Sequence, residues 1–271
     1  MKGYKYFILP VFLMCVCTQL NAQCKVENIY FKAGEELTYD MYFKYGLINT
    51  KAGKSSMIIS GEKFEGNEVL KMQLVGNTKG LASKFVSLSD TLSSLMSKEL
   101  VPLVYMKNAH ESGDYTIEKA IYSYDANTIT IKTNRVRNGE LRFNEELSSK
   151  SCIYDMLSVV YYARTLNYST MKKGDKVNIS FLSGKNIVSM DIEDHGTEVV
   201  DANDNKKYDC IKLVLMINAD AFEDKKEAMT VYITNDSNRI PIRIDSKLKI
   251  GSTRAIIKSY KGNIYPLKVI N

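Results

Sequence analysis

Tryptophan is absent from this chain, histidine occurs twice and proline four times in 271 residues. Each scarcity closes off a class of chemistry. With only His110 and His195, there is little choice of base for serine hydrolysis, and no G-x-S-x-G elbow accompanies them. His110 precedes Glu111, but no second histidine follows at the helical spacing of a zinc protease. Neither a Walker phosphate loop nor a G-x-G-x-x-G turn occurs. No block of five or six like charges is present either. The basic surplus is small and spread along the chain, which argues for solubility more than for nucleic acid.

Cysteine is sparse as well, and its placement depends on the amino terminus. Lys2 and Lys5 precede an apolar run from Phe7 to Val16, and Leu20-Asn21-Ala22 reads as a small-residue cleavage site. The run is shorter than the roughly 20 residues a membrane-spanning helix needs. It therefore predicts an export signal cleaved after Ala22, and a periplasmic or otherwise exported mature chain. Met1–Ala22 holds two lysines and no acid, so 35 basic residues remain against 31 acidic ones. Three cysteines also remain, Cys24, Cys152 and Cys210, and an odd number leaves at least one unpaired. A disulfide between Cys152 and Cys210 is the expected pairing, since Cys24 lies near the new terminus. The alternative is that both are small buried hydrophobes.

What the chain has in abundance is period-two alternation, the signature of half-buried strands. It recurs at Glu36–Phe43, Ser56–Ile59, Val69–Val75, Tyr115–Tyr124, Thr128–Thr133, Lys176–Phe181 and Ile187–Ile192. It returns at Cys210–Ile217, Met229–Thr234, Ile240–Asp245 and Thr253–Tyr260. Turn signals separate the runs: Glu65-Gly66-Asn67, Asn138-Gly139, Ser183-Gly184 and Asp201–Asn205. The pattern predicts a mainly β protein of large curved antiparallel sheets, half-barrel or sandwich-like.

One segment departs from the alternation. Ile153, Leu157, Val160, Tyr161 and Arg164 recur at helical spacing, predicting a single mid-chain helix over about 152–166, with Ser151 or Asp155 at its start. The flanking halves, about 28–150 and 167–271, look alike. Leu100-Val101-Pro102-Leu103 and Arg239-Ile240-Pro241-Ile242 each lead into strands ending at Ser-Tyr. The expectation is one β domain over 23–271 made of two related modules joined by the helix.

Asp155 and Arg164 are the polar residues that this helix must accommodate. Asp155 is expected to cap it, and Arg164 to lock it to a sheet through carbonyls or an acid such as Asp90. Glu35 and Glu36 are expected to begin a strand with both acids facing water. The segment Asp191–Glu198 is read as a charged hairpin loop with a solvated His195 rather than a metal site. Asp201-Ala-Asn203-Asp-Asn205 opens like a calcium loop, but Lys206 and Lys212 stand where that loop needs Gly and Glu. Asp90-Thr91-Leu92 matches an O-glycosylation acceptor pattern at Thr91.

At Phe31-Lys-Ala-Gly-Glu35-Glu-Leu-Thr-Tyr39 and Lys51-Ala-Gly53 the chain resembles the DUF3108 family. The likeness continues through Ser89-Asp90, Leu100-Val-Pro102, Tyr154-Asp155-Met-Leu-Ser158, Tyr161-Tyr-Ala-Arg164 and Lys173-Gly-Asp175. It extends to Tyr208-Asp-Cys210-Ile-Lys-Leu213, Asp236-Ser-Asn-Arg239-Ile-Pro241 and Gly251-Ser252. The resemblance implies an exported, β-rich, envelope-associated protein and supplies no catalytic residue, cofactor or metal ligand. The expected function is non-catalytic: binding or carrying an apolar ligand such as lipid or lipoprotein. The alternative is an interaction module that binds glycan or another envelope protein. A carrier needs an enclosed apolar cavity; an interaction module needs a filled core and an exposed patch.

Overall fold

The computed structural model describes residues 24–78, 88–111, 113–218, 229–247 and 251–270. The expected export signal, Met1–Ala22, lies outside them. Two meanders make up the fold. The first runs through β1 (Glu36–Tyr45), β2 (Ile48–Phe64), β3 (Asn67–Thr78) and β4 (Leu88–Met96). It continues through β5 (Pro102–Glu111), β6 (Asp114–Tyr124), β7 (Ile129–Arg137) and β8 (Glu140–Ser149). A short link carries β9 (Ile153–Tyr154) and the helix α1 (Ser158–Ala163). The second meander comprises β10 (Lys176–Ser183), β11 (Asn186–Asp201), β12 (Lys207–Asn218), β13 (Met229–Thr234), β14 (Pro241–Lys247) and β15 (Ser252–Lys261).

The last strand returns to pair antiparallel with the first, Glu36 opposite Lys261 and Lys44 opposite Ser252. All fifteen strands thereby form one sheet, in the order β8 to β1 and then β15 to β9, nearly closed into a barrel. Its two edges, β8 and β9, are consecutive in sequence, so the seam is bridged by a few residues of chain. Closure matters because an open sheet presents unpaired backbone groups along its edges. Every pairing is antiparallel except β9 with β10, where Ile153 and Tyr154 lie parallel to Ser180 and Phe181.

Turn chemistry follows the sequence signals. Glu65-Gly66 and Asn138-Gly139 both take positive φ at their two central positions, the conformation whose twist suits a two-residue hairpin. The β4–β5 and β13–β14 turns are built alike. Ser97 Oγ accepts from Val101 N (3.3 Å), and Thr234 Oγ1 accepts from Ile240 N (2.9 Å). Leu100 and Arg239 adopt φ of 60° and 50°, each two residues before a proline that opens a strand.

The interior is filled from both halves. One apolar cluster runs from Met72, Met96 and Ile131 of the first meander to Ile242 and Ile257 of the second. A second gathers Phe181, Ile192, Leu213 and Val231 around Val159 and Ala163 of α1. The helix is thus wedged between the clusters, with Leu157 and Tyr161 on one side and Val159 on the other.

The helix is much shorter than the expected 152–166. Cys152 is taken by a disulfide and Ile153-Tyr154 by a strand, so helical geometry starts only after Asp155. The disulfide corrects the expected pairing: Cys24, not Cys210, bonds Cys152. Cys24 is held because Val26 N donates to Glu99 O (2.8 Å), laying the amino-terminal segment along the β4–β5 turn and beside the seam. Cys210 is a free, buried thiol within the core cluster.

Candidate functional site

The most tightly organised polar constellation lies at the carboxyl end of α1. Arg164 is fully buried, and its Nη1 and Nη2 donate to Oε1 (2.6 Å) and Oε2 (2.9 Å) of Glu35, itself 1 % exposed. Nη2 also donates to Asn238 O (2.9 Å), and the guanidinium lies 4.6 Å from the Phe31 ring. Burial works against the Arg164 charge, but the Glu35 carboxylate more than offsets it and holds the guanidinium protonated. Of the expected partners, carbonyls or an acid such as Asp90, Arg164 takes a carbonyl, that of Asn238, but its acid is Glu35, which was expected to face water. Residue 35 directly precedes β1, and the turn from Lys32 to Glu35 directs its carboxylate inward.

Arg239 completes this region. Its Nη1 donates to the carbonyls of Arg164 (2.9 Å) and Leu166, and its guanidinium sits 4.1 Å from the Tyr30 ring and 5.0 Å from the Tyr168 ring. Nothing in the local pattern of the sequence assigns Arg239 this role. The signal that could have found it is its place in the Asp-x-x-Arg-x-Pro run, where a strained turn ties β13 to β14. Asn238 of that turn exchanges bonds with Tyr265, fixing the carboxyl-terminal segment. Tyr39 Oη donates to Pro241 O (2.9 Å). Phe31, Glu35, Tyr39, Tyr161, Arg164, Arg239 and Pro241, which carry much of the family resemblance, therefore converge on a lock between distant segments.

At the other end of α1, Asp155 Oδ1 accepts from Leu157 N (2.9 Å) and Ser158 N (2.8 Å), and Oδ2 accepts from Ser94 Oγ (3.0 Å). Complete burial nevertheless raises its carboxyl above the ordinary aspartate value, against the pull of those donors. Asp90 pairs with Gly76 and Ala109 in the sheet. Thr91 is half-buried in the middle of β4, flanked by Val75 and Asn108.

The Asp191–Glu198 segment is not a hairpin loop. It is continuous β11 strand with a bulge between Asp194 and Thr197, and His195 Nε2 lies 3.2 Å from Glu193 Oε1. Among the described residues, no three His, Cys, Asp or Glu side chains cluster in a way that could hold a metal. The thiol of Cys210 is pushed up to about 12 by burial and by the nearby Asp209, Asp236 and Glu198, which leaves it a poor nucleophile.

A second constellation lies on the outer wall. Across six strands, register places Lys212, Tyr232, Arg243, Ile256, Asp40 and Lys54 in one transverse row. The next row runs Val214, Thr230, Asp245, Arg254, Tyr42 and Lys51; a third holds Lys247, Ser252, Lys44 and Asn49. Side chains directly opposite in a ladder share a face, and alternate residues take the other. Leu213, Val231 and Ile244, from the alternate positions, belong to or pack against the core, so these rows take the opposite face. The centre of that face is itself covered, with Asp40, Val214, Thr230 and Tyr232 buried and Asn203 bonded to Asp40 and Tyr42. Lys44, Lys51, Lys54, Lys247 and Arg254 are exposed. The rows contain seven cations and two acids.

A cleft of about 470 Å³ opens on this wall, lined among others by Tyr42, Lys44, Lys212, Tyr232, Lys247 and Arg254. Asp245 Oδ1 accepts from Nε of both Arg243 and Arg254 (2.9 Å each), fixing the two guanidiniums side by side. The Lys212 ammonium and Arg243 guanidinium lie 5.8 and 5.0 Å from the Tyr232 ring. Asp40 is committed too. Burial would raise its carboxyl, but hydrogen bonds from Lys51 and Asn203 outweigh it and hold the group below the usual aspartate value. Asp40, Asp245 and Glu198 already meet Lys51, the two arginines and Lys212, and the cationic surplus that remains can attract an anion.

Comparison with known proteins gives one family and a fold. The family model described as "Protein of unknown function (DUF3108)" matches residues 38–258. No relative was found among curated proteins. The crystal structure of a β-barrel-like protein of domain of unknown function DUF1849 from Brucella abortus is similar over 88% of this chain and 100% of that one. Its TM-score is 0.59 at 8% identity, so the likeness is one of fold. A protein from Bacteroides fragilis NCTC 9343 with a YmcC-like fold aligns over 88% of this chain and 99% of its own, at 12% identity and a TM-score of 0.35.

Proposed function

This chain belongs to the DUF3108 family, and we propose that it is an exported, non-catalytic envelope protein that binds its partner on the outer wall of its barrel. The observation carrying this reading is the contrast between inside and outside. Within, side chains of both meanders and α1 interleave, and the buried Arg164–Glu35 pair stands in the interior beside Phe31 and Tyr161. On the opposite face, Lys44, Lys212, Lys247 and Arg254 line an open cleft. An apolar ligand needs an enclosed apolar volume, whereas an interaction surface needs only an exposed patch of defined chemistry. The geometry therefore favours an interaction module over a carrier of lipid or lipoprotein. The export signal read from Lys2 to Ala22 supplies the compartment.

Native mass spectrometry of the mature chain, purified from its own envelope and then extracted with solvent, tests this. The bare polypeptide mass is expected before and after extraction. A lipid-sized mass lost on extraction would favour the carrier and overturn the proposal.

A further inference from the structure

We propose that the partner of this outer wall is an anionic phospholipid surface, held by the cation rows and by an apolar hairpin tip beside them. This rests on the surface-binding reading above and names its partner.

Three observations point the same way. The first is extent. Six adjacent strands at about 4.8 Å spacing put the ends of the longest row roughly 24 Å apart, more than one small anion can cover. Because the sheet curves toward closure, a plane of many phosphates meets the end of that wall nearest the β1–β2 turn, where Lys44, Lys247 and Arg254 stand. The second is the end of the wall formed by Lys247, Ser252 and Lys44. Ser252 has a lysine on the strand to either side and Arg254 two residues along its own strand, so three cations surround a small hydroxyl. This close approach needs Gly251, which takes φ +76° and sits where a Cβ would run into the Lys44 carbonyl.

The third observation is the β1–β2 turn, which continues directly from Lys44 and its partner Asn49. Its tip carries Tyr45, half-exposed, and Leu47, at 105% relative exposure. A fully exposed leucine costs solvation, and its burial among acyl chains would recover that cost. Tyrosine suits the headgroup layer, where its ring is apolar on one side and its hydroxyl wet. Basic residues flanking an apolar wedge are the make-up of reversible membrane contact, with each cation near an anionic surface adding to the attraction.

The absence of tryptophan makes the test clean. A Leu47→Trp variant of the full mature chain carries one reporter, to be mixed with vesicles of phosphatidylcholine alone or in equimolar mixture with phosphatidylglycerol. Its emission is expected to shift to the blue with the anionic vesicles only. In co-sedimentation, Lys44→Glu with Lys247→Glu should weaken binding roughly tenfold or more, and Leu47→Asp should do the same with its charge rows intact. Lys98→Glu with Lys132→Glu makes the same charge change elsewhere and should matter less than twofold. All four lysines and Leu47 are on the surface, and an unchanged melting curve confirms each fold.

Equal loss in the control pair would reduce the effect to net charge and overturn the proposal. So would an unshifted emission from the Leu47→Trp variant, or displacement by millimolar glycerol phosphate, which would mark a site for a small soluble phosphate. Failure here with a bare native mass would refute the phospholipid partner alone; a co-purifying extractable lipid would refute the surface-binding reading itself.

Discussion

Arg164 and Glu35, 129 residues apart in sequence, form a two-pronged ion pair with essentially no solvent access. The pair joins the carboxyl end of the only helix among the described residues to the chain just before β1, and through Asn238 O to the β13–β14 turn. Desolvating two charges is expensive, and good geometry with further hydrogen bonds is what offsets it. The pair thereby ties α1 to the start of β1 and to the β13–β14 turn.

Replacing Arg164 by Leu should therefore destabilise the fold by about 3–5 kcal/mol, because Glu35 would be left buried without a partner. Adding Glu35→Leu should recover a substantial part. Chemical denaturation of the two single variants and the double variant measures the coupling; additive losses would contradict it.

The Cys24–Cys152 bond should behave as a structural clamp on the seam. Cys24→Ser is expected to lower stability by about 2–5 kcal/mol, as removal of a bond closing a long loop does. Alkylation of the non-reduced mature chain should label nothing in buffer and one cysteine, Cys210, in denaturant. Labelling of Cys24 or Cys152 under those conditions would refute the pairing.

Asp155 predicts a pH dependence. Its folded-state value is raised above that of the unfolded chain, so its contribution is complete below the unfolded value, about 4, and is lost as pH rises through the folded value. Asp155→Asn retains an acceptor for Leu157 N and Ser158 N but cannot ionise. Melting temperatures across that window should fall with pH less steeply in the variant than in the parent, and parallel curves would argue against the assignment.

Arg239 should be irreplaceable by lysine. A single ammonium cannot reproduce the planar stack on Tyr30 and Tyr168 while bonding the carbonyls of Arg164 and Leu166. Arg239→Lys is expected to cost about 1–3 kcal/mol and to speed amide exchange in the turn after α1, measurable by hydrogen–deuterium exchange.

Some strands escape a reading of the sequence, or come out short, for identifiable reasons. The edge strand β8, Glu140–Ser149, is wet on both faces over most of its length, so Leu141, Phe143 and Leu147 do not stand out as an apolar face. The bulge at Asp194–Thr197 shifts the alternation by one step and makes a continuous strand look like a loop. The helix comes out too long because Ile153 fits a helical period as well as a strand; only the parallel partner Ser180 decides between them.

Local alternation and turn residues by themselves determined that this chain is β-rich, that its hairpins turn at Glu65-Gly66 and Asn138-Gly139, and that one helix interrupts it mid-chain, though not how short that helix is. These features depend on neighbours a few residues apart, and such neighbours are written in order. The partner of Arg164, the bond between Cys24 and Cys152, and the gathering of seven cations on one wall depend on which strands become adjacent. In the sequence those basic residues are spread over more than 200 positions, from Lys44 to Arg254. Pairing β15 with β1 brings those positions into three rows, because register, and not sequence separation, sets the distance between side chains on a sheet.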